Sequence, residues 1–128
     1  MGDRWRHVPY PPWWLDRARE RRASLDRAVE RVRQRVPLVA GAIGAIVFGS
    51  YATNRVGPTS DLDLIVLVED DGLPWNERWA CVARELDLDV PCDVLVYAPA
   101  EFERLKTTRN FIAQAIREGI WIDATAPR

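Results

Sequence analysis

Three aspartates, a serine and a glycine carry most of the chemistry that this 128-residue sequence can offer. The apolar run Ala42-Ile43-Gly44-Ala45-Ile46-Val47-Phe48 ends in Gly49-Ser50, and ten residues later comes Asp61-Leu62-Asp63-Leu64. Gly49 lets the chain turn where a side chain would obstruct a ligand, and Ser50 offers a hydroxyl and an N–H to an anion. A short helix over Tyr51 to Asn54 would add the positive end of its dipole to the same anion. Asp61 and Asp63, two apart on a strand, share a face with Cα atoms roughly 6.5 Å apart. Carboxylates so placed can hold a pair of divalent ions about 3.5 to 4 Å apart, the spacing for in-line phosphoryl or nucleotidyl transfer. Oxygen-only ligands favour magnesium or manganese over zinc.

These residues need strands to aim them. Ala42 to Phe48 reads as a buried strand, and Ser60 to Val68 as a second one reached through the Gly57-Pro58-Thr59 turn. Pro91-Cys92-Asp93-Val94-Leu95-Val96-Tyr97 reads as a third, and Asp93 completes a carboxylate triad if this strand lies beside that of Asp61. Asp61 also suits a purely structural role, since Asp and Ser punctuate turns. Asp63 is harder to dismiss, because a carboxylate against Leu64-Ile65-Val66-Leu67 is costly to desolvate unless it is paired or binds metal.

Phe48-Gly49-Ser50, ten residues, Asp61-Leu62-Asp63-Leu64 and a later strand opening with Asp93 resemble the DNA polymerase β-like nucleotidyltransferase superfamily, and specifically its minimal nucleotidyltransferases (MNT). The resemblance spans about residues 38 to 122, includes Ala52, Pro58 and Ser60, and extends to the closing segment from Phe111 to Ile120. It implies a mixed sheet packed with helices. It further implies that Gly49, Ser50, Arg55 and Ser60 contact the nucleotide, that Asp61, Asp63 and Asp93 bind Mg²⁺ (two ions, with Mn²⁺ as substitute), and that Asp93 assists the nucleophile. The implied reaction moves AMP from ATP to a hydroxyl. Such proteins are frequently antitoxins that silence a HEPN-domain ribonuclease toxin by AMP transfer to a tyrosine. Two other readings stand beside it: a binding module that masks a toxin without catalysis, and an aminoglycoside-type adenylyltransferase. Many family members carry Arg-x-Arg-Gly after the Gly-Ser, where this chain has Tyr51, Thr53 and Asn54. Asn54 can hold the left-handed backbone of the missing glycine, and Arg55 is the nearby cation.

The rest of the sequence frames this site. Its length and 48% hydrophobic content fit one α/β domain with its own core. Residues 1–37 divide into a Pro/Trp-rich arm and a basic amphipathic helix that packs on a core over 38–128. In the helix, Leu15, Ala18, Leu25, Val29, Val32 and Val36 form one apolar stripe from Trp14 to Pro37. The arm, with Trp5, His7, Tyr10, Trp13 and Trp14 among Pro9, Pro11 and Pro12, is expected to run extended until Trp14. Its tryptophans either cover this domain or anchor a partner or a second copy, giving a homo-oligomer. Further helices are expected at about 75 to 88 and 108 to 118, with an edge strand Ile120 to Asp123. Trp75, Trp79, Val82 and Leu86 are expected to pack into the core.

Net charge is −1 but uneven, with ten arginines against five acids in residues 1–40 and twelve acids against two arginines in 61–103. The sequence pI near 5.8 speaks against general nucleic-acid binding. Cys81 and Cys92 cannot build a disulfide framework and are expected as reduced, buried thiols. A single histidine, His7, lacks the partners of a catalytic triad or a zinc site. No membrane span or secretory leader is recognised, so the expected location is the cytoplasm.

Overall fold

The computed structural model of the chain describes residues 10–124. Trp5 and His7 of the arm lie outside them. Helix α1 runs Pro12–Arg35 and a single 3-10 turn follows at Val36–Leu38. Strands β1 (Ala42–Phe48) and β2 (Leu62–Val68), helix α2 (Trp75–Leu86) and strand β3 (Cys92–Tyr97) come next. Helices α3 (Pro99–Leu105) and α4 (Asn110–Glu118) and strand β4 (Ile120–Asp123) complete the order. The result is an α/β sandwich around a four-stranded mixed sheet ordered β3-β2-β1-β4, with a long first helix.

Helix α1 starts two residues before the expected point, at Pro12, with Pro11 as its N-cap. Proline is tolerated in a first turn because its missing N–H would have no partner there. The extended arm therefore ends earlier than its proline content suggests. Leu25, Ala28, Val29, Val32 and Val36 recur at three- and four-residue steps and are all buried. Each such leucine or valine withdrawn from water contributes about 1.5–3 kcal/mol, so this stripe fastens the helix to the sheet.

Sheet alternation then sorts the core into two layers. Val47, Leu62, Leu64, Val66 and Val96 face α1 and α2, meeting Leu25, Val32, Val82 and Leu86. Ile46, Ile65 and Leu67 face the other way, against Phe102 of α3 and Ile112 and Ala115 of α4. Being covered on both faces, β2 is almost continuously buried. Strand β1 pairs antiparallel with both β2 and β4, while β2 and β3 run parallel. Gly44 admits β4: a Cβ there would stand 2.6 Å from the Trp121 ring and from the Ile122 carbonyl oxygen.

Three details depart from expectation. Helix α3 was not foreseen; its short stretch buries only Phe102, too little to show a helical period. Trp75 and Trp79 are exposed, at 57% and 39%, because α2 turns Arg78, Val82 and Leu86 inward instead. The Arg78 guanidinium pairs with Glu101 and Asp70, tying α2 to α3, and the Trp79 indole N–H donates to the Val94 carbonyl (3.0 Å) on the β3 edge. Cys81 is exposed for the same helical register and Cys92 is half-buried; both are free thiols. Among the described residues no helix is long and apolar enough to cross a membrane.

Candidate active site

The parallel pairing of β2 and β3 sets Asp63 directly beside Asp93. On its other side, in the antiparallel pair, Asp63 stands opposite Phe48. Alternation fixes the direction of all three carboxylates. Leu62 and Leu64 belong to the α1/α2 layer and Ile65 and Leu67 to the α3/α4 layer, so Asp63 shares the α3/α4 face. Leu95 and Tyr97 give Asp93 the same face, and Asp61, two residues before Asp63, continues the row from just outside the strand. The triad expected from sequence is thus assembled on one face at one end of the sheet.

Among the described residues no lysine or arginine forms an ion pair with any of these three carboxylates. Asp63 feels this most. Burial, then the neighbouring charge of Asp93, then that of Asp61 push its carboxyl above the usual carboxylate range. The Cys92 thiol is pushed up to about 12, by burial first and then by the same aspartates. Such concentrated, uncompensated negative charge on hard oxygen donors fits magnesium or manganese. Nonetheless, among the described residues no three His, Cys, Asp or Glu side chains stand ready-grouped around an ion position.

The Gly-Ser turn is joined physically to the carboxylates. Gly49 has φ +75°, and a Cβ on it would lie 2.1 Å from Asp63 Oδ2. The segment after it forms turns instead of the expected short helix. Thr53 N–H and its hydroxyl both donate to the Gly49 carbonyl (3.1 Å each), and Arg55 N–H donates to the Ser50 carbonyl (2.8 Å). Asn54 at φ 60° then ends the coil, adopting the left-handed backbone its side chain tolerates. Among the described residues the Ser50 hydroxyl and N–H have no hydrogen-bond partner, leaving both available to an anion.

The other residues expected at the nucleotide divide. Arg55 is exposed and lines, with Gly49, a hollow on the α4 side. Ser60 braces its loop, its Oγ accepting the Gly57 N–H (2.8 Å), with the Trp14 ring packed against Gly57. Trp14 therefore covers this domain, stacked with Tyr10 at 4.0 Å, whereas Trp13 is 63% exposed.

Sequence reasoning missed Arg22. From α1 its Nη1 donates to Asn54 Oδ1 (2.6 Å), its Nε to Asp26 Oδ1 (3.3 Å), and its guanidinium lies 4.6 Å from the Tyr51 ring centre. The Tyr51 hydroxyl donates to the same Asp26 oxygen (2.6 Å), and burial followed by that bond raises its pKa. A helix thirty-two residues away thus holds the turn that cradles the proposed anion. Only the Arg22–Asp26 spacing of four was legible; the reach to Asn54 is tertiary.

A family model described as "Nucleotidyltransferase domain" matches residues 25–122. No curated protein matches the chain. Among solved structures, a crystal structure from Sulfolobus solfataricus, provisionally described as a nucleotidyltransferase, superposes with a TM-score of 0.50 at 18% identity, covering 84% of this chain and 83% of that one. At that identity the likeness is one of fold.

Proposed function

The chain belongs to the nucleotidyltransferase-domain family, and from that premise we propose that it transfers AMP from ATP to a hydroxyl of a partner protein, a tyrosine of a HEPN-domain toxin. One observation carries nucleotidyl transfer to this site: the missing side chain of Gly49 is what leaves room for the Asp63 carboxylate. The anion cradle and the acidic row are therefore one site. The finer reading, AMP and a toxin partner, rests on the resemblance of the Gly49-Ser50 and Asp61-x-Asp63 spacing to minimal nucleotidyltransferases.

In this reading Gly49 and Ser50 receive the β- and γ-phosphates, and Arg55 offers its charge at the lip. Asp61, Asp63 and Asp93 would hold divalent ions, which when bound supply neutralising charge and polarise the phosphate oxygens. The acceptor oxygen attacks the α-phosphorus, the bond to the bridging oxygen toward the β-phosphorus breaks, and pyrophosphate leaves with that electron pair. Asp93, exposed at the strand end, accepts the acceptor's proton. Arg22 and Asp26 act through the Tyr51–Asn54 turn, keeping the cradle shaped before substrate arrives.

A second reading, a masking module with weak catalysis, draws on Tyr51 and Thr53 standing where many family members carry arginines. Both readings meet one experiment. The purified protein and its Asp61→Asn/Asp63→Asn variant are incubated with α-labelled ATP, Mg²⁺ and an extract of the source cell, followed by mass spectrometry of labelled bands. Label on a protein tyrosine only with intact aspartates is the expected result. No label from any of the four nucleotides, with a partner still co-purifying, sinks the enzyme reading and leaves the masking module.

A further inference from the structure

The hollow beside Gly49 has a volume of about 260 Å³ and lies on the sheet face that the three aspartates share. Its far wall is helix α4. There Phe111, Gln114 and Glu118 fall at steps of three and four, so they form one stripe, while Ile112 and Ala115 turn to the core. Phe111 is 41% exposed, an aromatic ring left open at the rim of a hollow whose other end is the Gly49 turn and Arg55. Phe48 lines it too, on the α3/α4 side of the sheet.

We propose that this hollow takes the base of the nucleoside triphosphate, stacked on Phe111, and that it prefers bases carrying an exocyclic amine (adenine, cytosine, guanine) over uracil. The inference rests on the nucleotidyl-transfer reading and names which part of that substrate the α4 wall reads. The hydrogen-bonding groups give the preference. Gln114 Nε2 donates to Glu118 Oε2 (3.1 Å), which leaves the Gln114 carbonyl oxygen and the second Glu118 oxygen to accept. The Thr53 hydroxyl already donates to the Gly49 carbonyl (3.1 Å). The donors that remain in the lining are the second Gln114 N–H and, at the phosphate end, Arg55. An amine meets both acceptors with its two N–H groups, whereas uracil's single ring N–H fills only one of them and leaves the other facing a carbonyl oxygen. The ring stack itself discriminates little, since every base has a π-face.

The test measures binding of ATP, CTP, GTP, UTP and inorganic tripolyphosphate to the full chain with Mg²⁺, by competition against a fluorescent ATP analogue and by calorimetry. Phe111→Ala should weaken all four nucleotides about tenfold and leave tripolyphosphate, which has no base, unchanged. Phe111→Trp should restore the nucleotides. Gln114→Ala/Glu118→Ala should bring the amine-bearing nucleotides down to the affinity of UTP. Equal loss of tripolyphosphate and ATP in Phe111→Ala, or no loss of either, overturns the base site while nucleotidyl transfer stands. UTP binding as tightly as ATP to the natural chain overturns the preference. If neither tripolyphosphate nor any nucleotide binds, the nucleotidyl-transfer reading falls and this inference falls with it.

Discussion

Replacing Gly49 by alanine separates two effects that the structure superimposes at one atom. Its φ of +75° costs an L-residue about 1–2 kcal/mol whatever its neighbours. The new Cβ would also stand 2.1 Å from Asp63 Oδ2 and 3.0 Å from Asp63 Cγ, so the carboxylate must turn aside. Forcing that side chain off its rotamer costs about 0.5–1.5 kcal/mol more. The expected total is about 1.5–3.5 kcal/mol, a fall of roughly 1 M in the urea midpoint. In an Asp63→Ala background the second part vanishes, so Gly49→Ala should cost only about 1–2 kcal/mol there. The double-mutant cycle should close with a coupling of about 0.5–1.5 kcal/mol. In transfer assays Gly49→Ala should lose about 100-fold, because a carboxylate displaced by an ångström no longer meets its target. Equal cost in both backgrounds would show that Gly49 and Asp63 do not touch, and the union of cradle and carboxylates would be lost.

Other perturbations address other parts of the site. The folded-state pKa of Asp63 lies above its unfolded value, through burial and then Asp93 and Asp61. The folded chain therefore holds that proton more tightly; the stability this confers is complete below about pH 4 and lost as pH rises through the folded pKa. Metal-free Asp63→Asn, which cannot ionise, should melt about 1–4 °C higher than the natural chain at pH 7. That advantage should shrink to nothing in scans below about pH 4, and a pH-independent difference would contradict the assignment. Arg22→Ala should lower stability by about 1 kcal/mol and raise KM for the nucleotide more than it lowers kcat, since it loosens the turn and touches no reacting atom. Timed alkylation at pH 8 with mass spectrometry should modify exposed Cys81 first and half-buried Cys92, with its thiol pushed up to about 12, far more slowly until the chain unfolds. Equal rates would contradict the burial of Cys92.

What the sequence made legible was local. The β1 limits follow from an apolar run bounded by turn residues, and the shared face of Asp61 and Asp63 follows from a two-residue period. The neighbourhood of Asp93 needed strand order, which no local pattern specifies; parallel pairing of β2 with β3 supplied it. The helix over α2 is found where its pattern predicts, but its inner face differs: a buried Arg78 guanidinium paired with Glu101 and Asp70 sits where the tryptophan spacing suggested apolar packing. Arg31 and Arg35 of α1, off its apolar stripe, donate to the Leu86 and Glu85 carbonyls at the end of α2 (3.2 and 2.7 Å). Their partners lie fifty or more residues away, beyond any pattern within a helix.

Strand β4 carries a consequence for how the chain matures. It is the last strand among the described residues, yet it seats against β1, which is made early and sits inside the sheet. During synthesis the Gly44–Val47 edge of β1 waits, its backbone groups open to any passing strand, until some seventy residues more have emerged. The flat spot at Gly44 then receives the Trp121 ring. The ladder that β4 closes ends at Val47, two residues before the Gly49 turn, on the side of β1 away from the aspartate-bearing strands β2 and β3. A stalled or clipped product would keep all three aspartates and still present a sticky seam, the kind of species that ribosome-associated chaperones retain.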